Sequence, residues 1–569
     1  MPIKTTILAT EPVLVQQHEL IVTLDAKADA NTSKSISASS RPEMSARILT
    51  YGATLTHLIC PDQHGKAQDI VLGFDDWKEY LTQAHSRALN PYFGSTIGRT
   101  ASRVAHGSFT LANKYAVDHP MPKEQVPLDA CIDYPDSSDP NHADKHTLQI
   151  SNGLDCHHGG PIGFDKKHWS TIETGAGLED GDLSNASGLA QRRGPFVRLQ
   201  LISCHGDNGY PGRLKSIVEY HLDPRGELCV NFEASLVADE TKCGEILLNR
   251  ERLETDLHST IVSMTNHTYW NLDGVLNLPD DSGSPLHVLE HTQTTRDAEE
   301  TNEYVRRDAK FQDQEVTIVN NSCTIRNHLL WLRDSKIIEL GKVHPIPTGR
   351  ILDLPSMRAK DHYPPNHDTG SMGESLESLL NFSTASDMTS QQVHSSGPRS
   401  PFGKLLGPGL DLIPGGYGYD HVYALDRPTS AGTSSNAATN VAKDMKVGIQ
   451  GYYPETPHVA MLFSPRSGIR LDVFTSEPAI VLYAAGYVDG SKLGSTKSKL
   501  VGGSSPSKQQ QSSQQRAIKL EASFDKFSGL CLEPVRYPDA IHHPSWASMV
   551  TLHYDQTYRQ QTIYKLGAQ

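Results

Sequence analysis

The chain has 569 residues, which at about 150 residues per domain suggests roughly four domains, although a single all-β domain can run past 200. With 52 Lys+Arg against 66 Asp+Glu, a net charge of −14 and no run of basic residues, the sequence argues against a phosphate-backbone binder and against a basic membrane-surface helix. The chain does not open on a basic stretch followed by an apolar run, it has no span of about 18 apolar residues, and its eight cysteines include no CxxC pair. The expectation is a cytoplasmic protein with neither nucleic acid nor membrane as partner.

In chain order, polar tracts near 118–145 and 175–193 read as loop insertions. The clearest hairpin follows, from Ser216 to Leu236. Val218, Tyr220 and Leu222 precede the turn Asp223-Pro224-Arg225-Gly226, and Leu228, Val230, Phe232, Ala234 and Leu236 then share one face. Further insertions are expected near 280–327, 360–408 and 427–446. Alternation returns at Ile469-Arg470-Leu471-Asp472-Val473 and a buried-looking run at Ala479 to Ala485, before a Ser/Gln-rich tract within 491–518. Helical periodicity is scarce, so the fold class expected is all-β: mostly antiparallel, in a large sandwich or barrel.

Several polar residues sit in strand-like or Gly-bounded surroundings. Arg99 and Arg103 lie four apart among small residues, as solubilising charges or as ligand donors. His157 and His158 precede Gly159-Gly160, which suits an imidazole on a tight turn, a solvated turn or half of a metal site. His267 lies among aromatics in a β-favouring run, where a satisfied core or cross-strand histidine is the plainer reading. Glu533 follows an apolar strand, and a buried carboxylate must be paired or used. Asp420 stands on a Gly/Tyr turn of a kind that suits hydroxyl-rich ligands. Adjacent strand residues point to opposite faces, so neither His157 with His158 nor His542 with His543 is expected to form a two-ligand metal site.

Taken together, these segments resemble the aldose 1-epimerases, also called galactose mutarotases. The resemblance rests on YGATLTHLICPD, DIVLGFDDWKEY, GSTIGRTASRV, HHGGPIGFDKKHW, DNGYPGRL, TNHTYWNLDG, IPTGRILDL, GYGYDHVYAL, SPRSGIRLDVFTSEPAIVLYAAGYVDG and CLEPVRYPDAIHHP, in the family's order from Tyr51 to Pro544. It implies one antiparallel β-supersandwich over 1–569, interrupted by the insertions, with a sugar cleft across one face.

The resemblance also implies the chemistry: interconversion of the anomers of a free hexose such as D-galactose or D-glucose, with no metal or organic cofactor. Glu533 matches the family's general base and His267 its general acid, while His158 matches a histidine near the ring oxygen. Arg103 and Asp420 match sugar-binding positions, and Tyr269 is expected to line the pocket. Ser102 stands where the family usually has Asn, which puts that sugar contact in question. Two other readings remain: a hexose-phosphate 1-epimerase, which needs an Arg/Lys cluster at the cleft and could enlist Arg99 with Arg103, and a non-catalytic carbohydrate-binding protein on the same fold.

Overall fold

The computed structural model describes residues 3–10, 13–25, 42–85, 90–111, 144–177, 193–237, 259–276, 287–289, 316–320, 323–333, 335–340, 347–353, 404–413, 416–425, 456–493, 496–501 and 518–568. Most of each tract read as an insertion lies outside these residues.

The expected hairpin forms. Leu214–Asp223 pairs with Glu227–Leu236 in antiparallel register from Leu214↔Leu236 to Asp223↔Glu227, and Gly226 takes a positive φ of 81° in the connecting turn. These two strands belong to a nine-stranded sheet. Its order is Ser170–Gly175, Phe196–Ser203, Leu214–Asp223, Glu227–Leu236, Tyr558–Ala568, Ile469–Thr475, His458–Phe463, Leu329–Leu332 and Lys404–Leu405. Ile469–Thr475 alternates strictly between buried and half-buried positions, as its sequence predicts.

Two more sheets pack against this one. A five-stranded sheet runs from Ile3–Ala9 through Val15–Thr23, Glu43–Leu49 and Thr54–Pro61 to Ala67–Asp69. A six-stranded sheet has the order Tyr269–Trp270, Leu530–Val535, Ala479–Tyr483, Asp420–Leu425, Ser335–Leu340 and Pro347–Asp353. One buried cluster joins all three, with Val218, Val230 and Phe232 from the large sheet, Val22, Ala46 and Ile48 from the second, and Ile480, Leu482, Leu530 and Leu532 from the third. The result is the all-β layered sandwich expected from the sequence.

One departure concerns the tracts read as loops. His287–Leu289, Val316–Asn320 and Ser498–Val501 join Ile518–Ala522 in a four-stranded sheet, where Val316–Asn320 pairs parallel with Ile518–Ala522. The polar surroundings of these short β-branched runs hide them from a composition reading. Among the described residues, no helix is long and apolar enough to cross a membrane.

The six-stranded sheet positions the site through its two-residue period. Leu530 and Leu532 point into the sandwich core, so Cys531 and Glu533 point out of the opposite face. Ile480 and Leu482 go inward while Val481 and Tyr483 face out. Tyr423 and Trp270 go inward while Asp420, Val422 and Tyr269 face out.

Candidate active site

Apart from the enclosed Cys531, these outward residues floor a cleft of about 580 Å³. All seven residues singled out for the site line it: Ser102, Arg103, His158, His267, Tyr269, Asp420 and Glu533.

His267 sits at a corner between two short pairings. Thr265–Asn266 pairs with Thr96–Ile97, and Tyr269–Trp270 pairs with Leu530–Cys531. Its own backbone is pinned on both sides: its N–H donates to the Ser95 carbonyl at 2.9 Å, and its carbonyl accepts from the Gly94 N–H at 3.0 Å. The ring lies between two tyrosine faces, with centroids 5.5 Å from Tyr92 and 5.1 Å from Tyr269 at interplanar angles of 28° and 30°. Nε2 is 3.6 Å from Glu533 Oε1, and Nδ1 is 3.6 Å from Cys531 Sγ.

Burial acts on both members of the His267–Glu533 pair. It raises the Glu533 carboxyl well above its ordinary range, with the negative charge of Asp420 adding, and lowers His267 to about 4. Both shifts favour a neutral acid beside a neutral imidazole. The ion pair holds the same single proton, so the two states differ only in which residue carries it. Two aromatic faces against His267 favour its cationic form, against the effect of burial.

His158 is held by the turn its two glycines permit. Gly159 and Gly160 have φ of 84° and 103°, and a Cβ on Gly159 would lie 1.9 Å from the Gly98 carbonyl oxygen. The His158 N–H donates to the Ser102 carbonyl at 2.9 Å, and the Ser102 N–H donates to His158 Nδ1 at 3.2 Å. With Nδ1 accepting, the neutral ring carries its hydrogen on Nε2. Burial and neighbouring positive charges hold His158 well below its ordinary pKa, so it serves as a neutral N–H donor.

Arg103 lies in a two-residue ladder with Cys156–His157, and its Nη1 is 3.8 Å from Asp155 Oδ2. Asp420 opens onto the cleft from the strand beside Tyr483, two strands from Glu533. The Arg103 charge acts on the Asp420 carboxyl, and Asp420 in turn lies close enough to act on Glu533.

Two sequence expectations need correction. Arg99 is not at the cleft: it is buried, and its guanidinium donates to Ser203 Oγ, Thr260 Oγ1 and the carbonyls of Ser203, Cys204 and Pro211. Five N–H donors on one planar group suit it to tie loop carbonyls together, and the phosphate reading loses that residue. His157 and His158 do not point to opposite faces: His158 leaves the strand with φ of 50°, and the two ring centroids come within 3.7 Å. At the other adjacent pair, His542 has both ring nitrogens engaged, Nδ1 with Asp539 at 2.7 Å and Nε2 with the Ser108 carbonyl at 2.8 Å.

His267, Cys531 and Glu533 can each bring one ligand atom to within 4.8 Å of the others. Cys531 Sγ faces Nδ1 and Glu533 Oε1 faces Nε2, however, so the two approach different nitrogens of one ring rather than converging with a single histidine ligand atom on one ion.

Sequence reasoning missed Tyr92, Tyr483, Tyr487, Asp489 and Lys492, which also line the cleft. Tyr92 carried a local signal, Asn90-Pro91-Tyr92-Phe93-Gly94. The Asn90 side chain accepts from the Tyr92 N–H at 2.9 Å, and Tyr92 takes a φ of 56° that is uncommon for an aromatic residue.

The family model described as "Aldose 1-epimerase" matches residues 34–119 and 317–565. The galactose mutarotase of Sus scrofa is 25% identical over 497 residues, spanning 87% of this chain and 84% of that protein. That of Homo sapiens is 31% identical over 520 residues, 91% of this chain and 90% of its own. A solved galactose 1-epimerase from Lactobacillus acidophilus covers 100% of this chain and 98% of its own at 15% identity, with a TM-score of 0.49.

Proposed function

This chain belongs to the aldose 1-epimerase family, whose members are carbohydrate isomerases, and from that premise we propose that it interconverts the α and β anomers of free hexoses such as D-galactose and D-glucose. The observation that carries the proposal is the buried Glu533–His267 pair, with 3.6 Å between its facing atoms, on the floor of a cleft lined by sugar-compatible donors and acceptors.

Glu533 as carboxylate removes the proton from the C1 hydroxyl, while the His267 imidazolium gives its Nε2 proton to the ring oxygen. The C1–ring oxygen bond breaks and an aldehyde forms. After the Nε2 proton has left, Nδ1 keeps its hydrogen directed at the Cys531 sulfur. The ring-opened state therefore pairs a neutral carboxylic acid with a neutral imidazole, the charge state burial favours. Rotation about the C1–C2 bond presents the other aldehyde face, and the two transfers reverse to close the ring. Each positioned transfer contributes about 10²–10⁴-fold. The enzyme ends each turnover as it began, with no co-reactant.

The remaining residues hold the sugar. His158 donates its Nε2–H near the ring oxygen, Arg103 donates to sugar oxygens, and Asp420 accepts from sugar hydroxyls. Tyr269 offers an aromatic face to the apolar side of the pyranose. Ser102 contributes its backbone N–H to His158.

Polarimetry of freshly dissolved α-D-galactose and α-D-glucose tests the reading. Fast equilibration by the wild type is expected, and its loss in Glu533→Gln and His267→Asn; a wild-type rate no greater than the spontaneous one would reject it for these sugars.

A further inference from the structure

The floor of the cleft is laid in two rows that differ in chemistry. Strand register places Val481 opposite Glu533 and Val422 opposite Val481, so one row across three neighbouring strands reads Glu533, Val481, Val422. The next row, two residues along each strand, begins at the enclosed Cys531 and continues with Tyr483 and Asp420. Facing side chains in such a row stand about 5 Å apart at Cβ. Past the Glu533 carboxylate, the first row therefore presents only methyl groups over the width of a sugar ring.

Both valines line the cleft, and both belong to a buried apolar cluster with Ala424, Ala479 and Val535. They are 9% and 7% exposed, so the cleft reaches them while the rest of each side chain is packed. Leu340, on the strand beside that of Val422, extends the same apolar lining. No side chain along this line can donate or accept a hydrogen bond once Glu533 is passed.

The part of the sugar that meets this row follows from the proposed proton transfers. C1 of a pyranose has two ring neighbours, the ring oxygen and C2. The strand of Glu533 lies between that of Tyr269, which His267 precedes by two residues, and that of Val481. A sugar whose C1 hydroxyl meets Glu533 and whose ring oxygen meets His267 turns C2 the other way, over Val481. A hydroxyl on C2 directed at this floor loses water and gains no partner, whereas a methylene there buries apolar surface.

We infer that Val481, extended by Val422, makes the cleft selective for aldopyranoses with no hydroxyl at C2, so that 2-deoxyhexoses are better substrates than their parent hexoses. This rests on the anomer-interconverting reading of Glu533 and His267. Asp420 and Arg103 remain available to the other hydroxyls.

The test measures kcat/KM for 2-deoxy-D-glucose and for D-glucose in the wild type and in Val481→Thr, which keeps the branched shape and supplies a hydroxyl. Each value is divided by the sugar's spontaneous rate constant, because removing the C2 hydroxyl also changes intrinsic reactivity. The wild type is expected to favour the deoxy sugar about fivefold to tenfold, and Val481→Thr to bring the ratio to about one. A wild-type ratio at or below one, or a ratio that Val481→Thr leaves unchanged, would overturn the selectivity. Calorimetric binding of 1,5-anhydro-D-glucitol and its 2-deoxy counterpart, which have no C1 hydroxyl and cannot mutarotate, gives a readout independent of turnover. If the wild type turns over neither sugar yet binds the 2-deoxy compound more tightly, the selectivity stands and the reaction assignment fails. If it turns over neither and binding of the two compounds is equal or absent, the selectivity falls with the reaction.

Discussion

Two glutamates are each 3% exposed, and they lie in regions that treat a buried carboxylate in opposite ways. Glu477 meets the Arg536 guanidinium at 3.1 Å, with both side chains fully enclosed, and Arg536 also lies 5.3 Å over the Tyr558 ring. Glu533, three residues before Arg536 on the same stretch of chain, faces the cleft with His267 Nε2 at 3.6 Å and Asp420 as a like charge nearby. Glu477 has a permanent cation, the Arg536 guanidinium, as its enclosed counter-charge. A titratable partner and a repelling neighbour leave the Glu533 proton free to move. Burial alone does not mark a base; burial beside a group that can exchange the proton does.

The sharpest way to break the comparison is to neutralise each carboxylate in turn. Glu533→Gln keeps the shape and removes the base, so kcat for galactose is expected to fall about 10²–10⁴-fold while the thermal midpoint stays near that of the wild type. Glu477→Gln leaves the Arg536 guanidinium buried without its counter-charge, and is expected to cost about 3–5 kcal/mol of unfolding free energy, read by chemical denaturation. If Glu533→Gln were the destabilising substitution and Glu477→Gln the inactivating one, the two roles would have to be exchanged.

A pH profile sharpens the same contrast. The proposed reaction needs one proton on the Glu533–His267 pair. At low pH the pair gains a second proton, and with His267 lowered to about 4 the acid limb of kcat is expected near that value rather than near 6.5. At high pH the pair loses its only proton. Glu533 is raised well above its usual range, so that loss comes far above the pH at which an ordinary carboxyl ionises, and the plateau between the limbs is broad. His267→Asn removes one member of the pair and should abolish the acid limb along with most of the rate. An acid limb that stayed near 6.5 in the wild type would mean that the tyrosine faces around His267 offset its burial.

Much of this was legible in the sequence because it depends on period and order. Alternation in Glu227–Leu236 and Ile469–Thr475 predicts which side chains turn inward, and the same period puts Glu533 opposite Leu532. The site residues came from ordered motifs rather than from any one of them. What was not legible depends on backbone that leaves these periods. The positive φ of His158 brings it against His157, where strand logic separates them. Arg99 reads as a surface charge until the loop carbonyls that surround it are known. Tyr487 lies just past the apolar run Ala479 to Ala485, and its place at the cleft follows only from the turn that brings it there and stacks Tyr417 against it.

The smallest expected effect concerns Ser102, and it separates what the backbone does from what the side chain does. Ser102 has φ of 59°, in the left-handed region that Asn enters more readily than Ser. Its peptide N–H and carbonyl both bond to His158, so the strained conformation aims that imidazole whichever side chain is present. Ser102→Asn is therefore expected to keep activity and to raise the unfolding free energy by about 0.5 kcal/mol, measured by urea titration. The longer amide also adds a donor and an acceptor to the cleft lining, so the galactose-to-glucose ratio of kcat/KM should shift while the acid limb of the pH profile stays in place. A shift of the acid limb instead would mean that residue 102 acts on His267 through His158, whose ring lies 5.5 Å from that of His267.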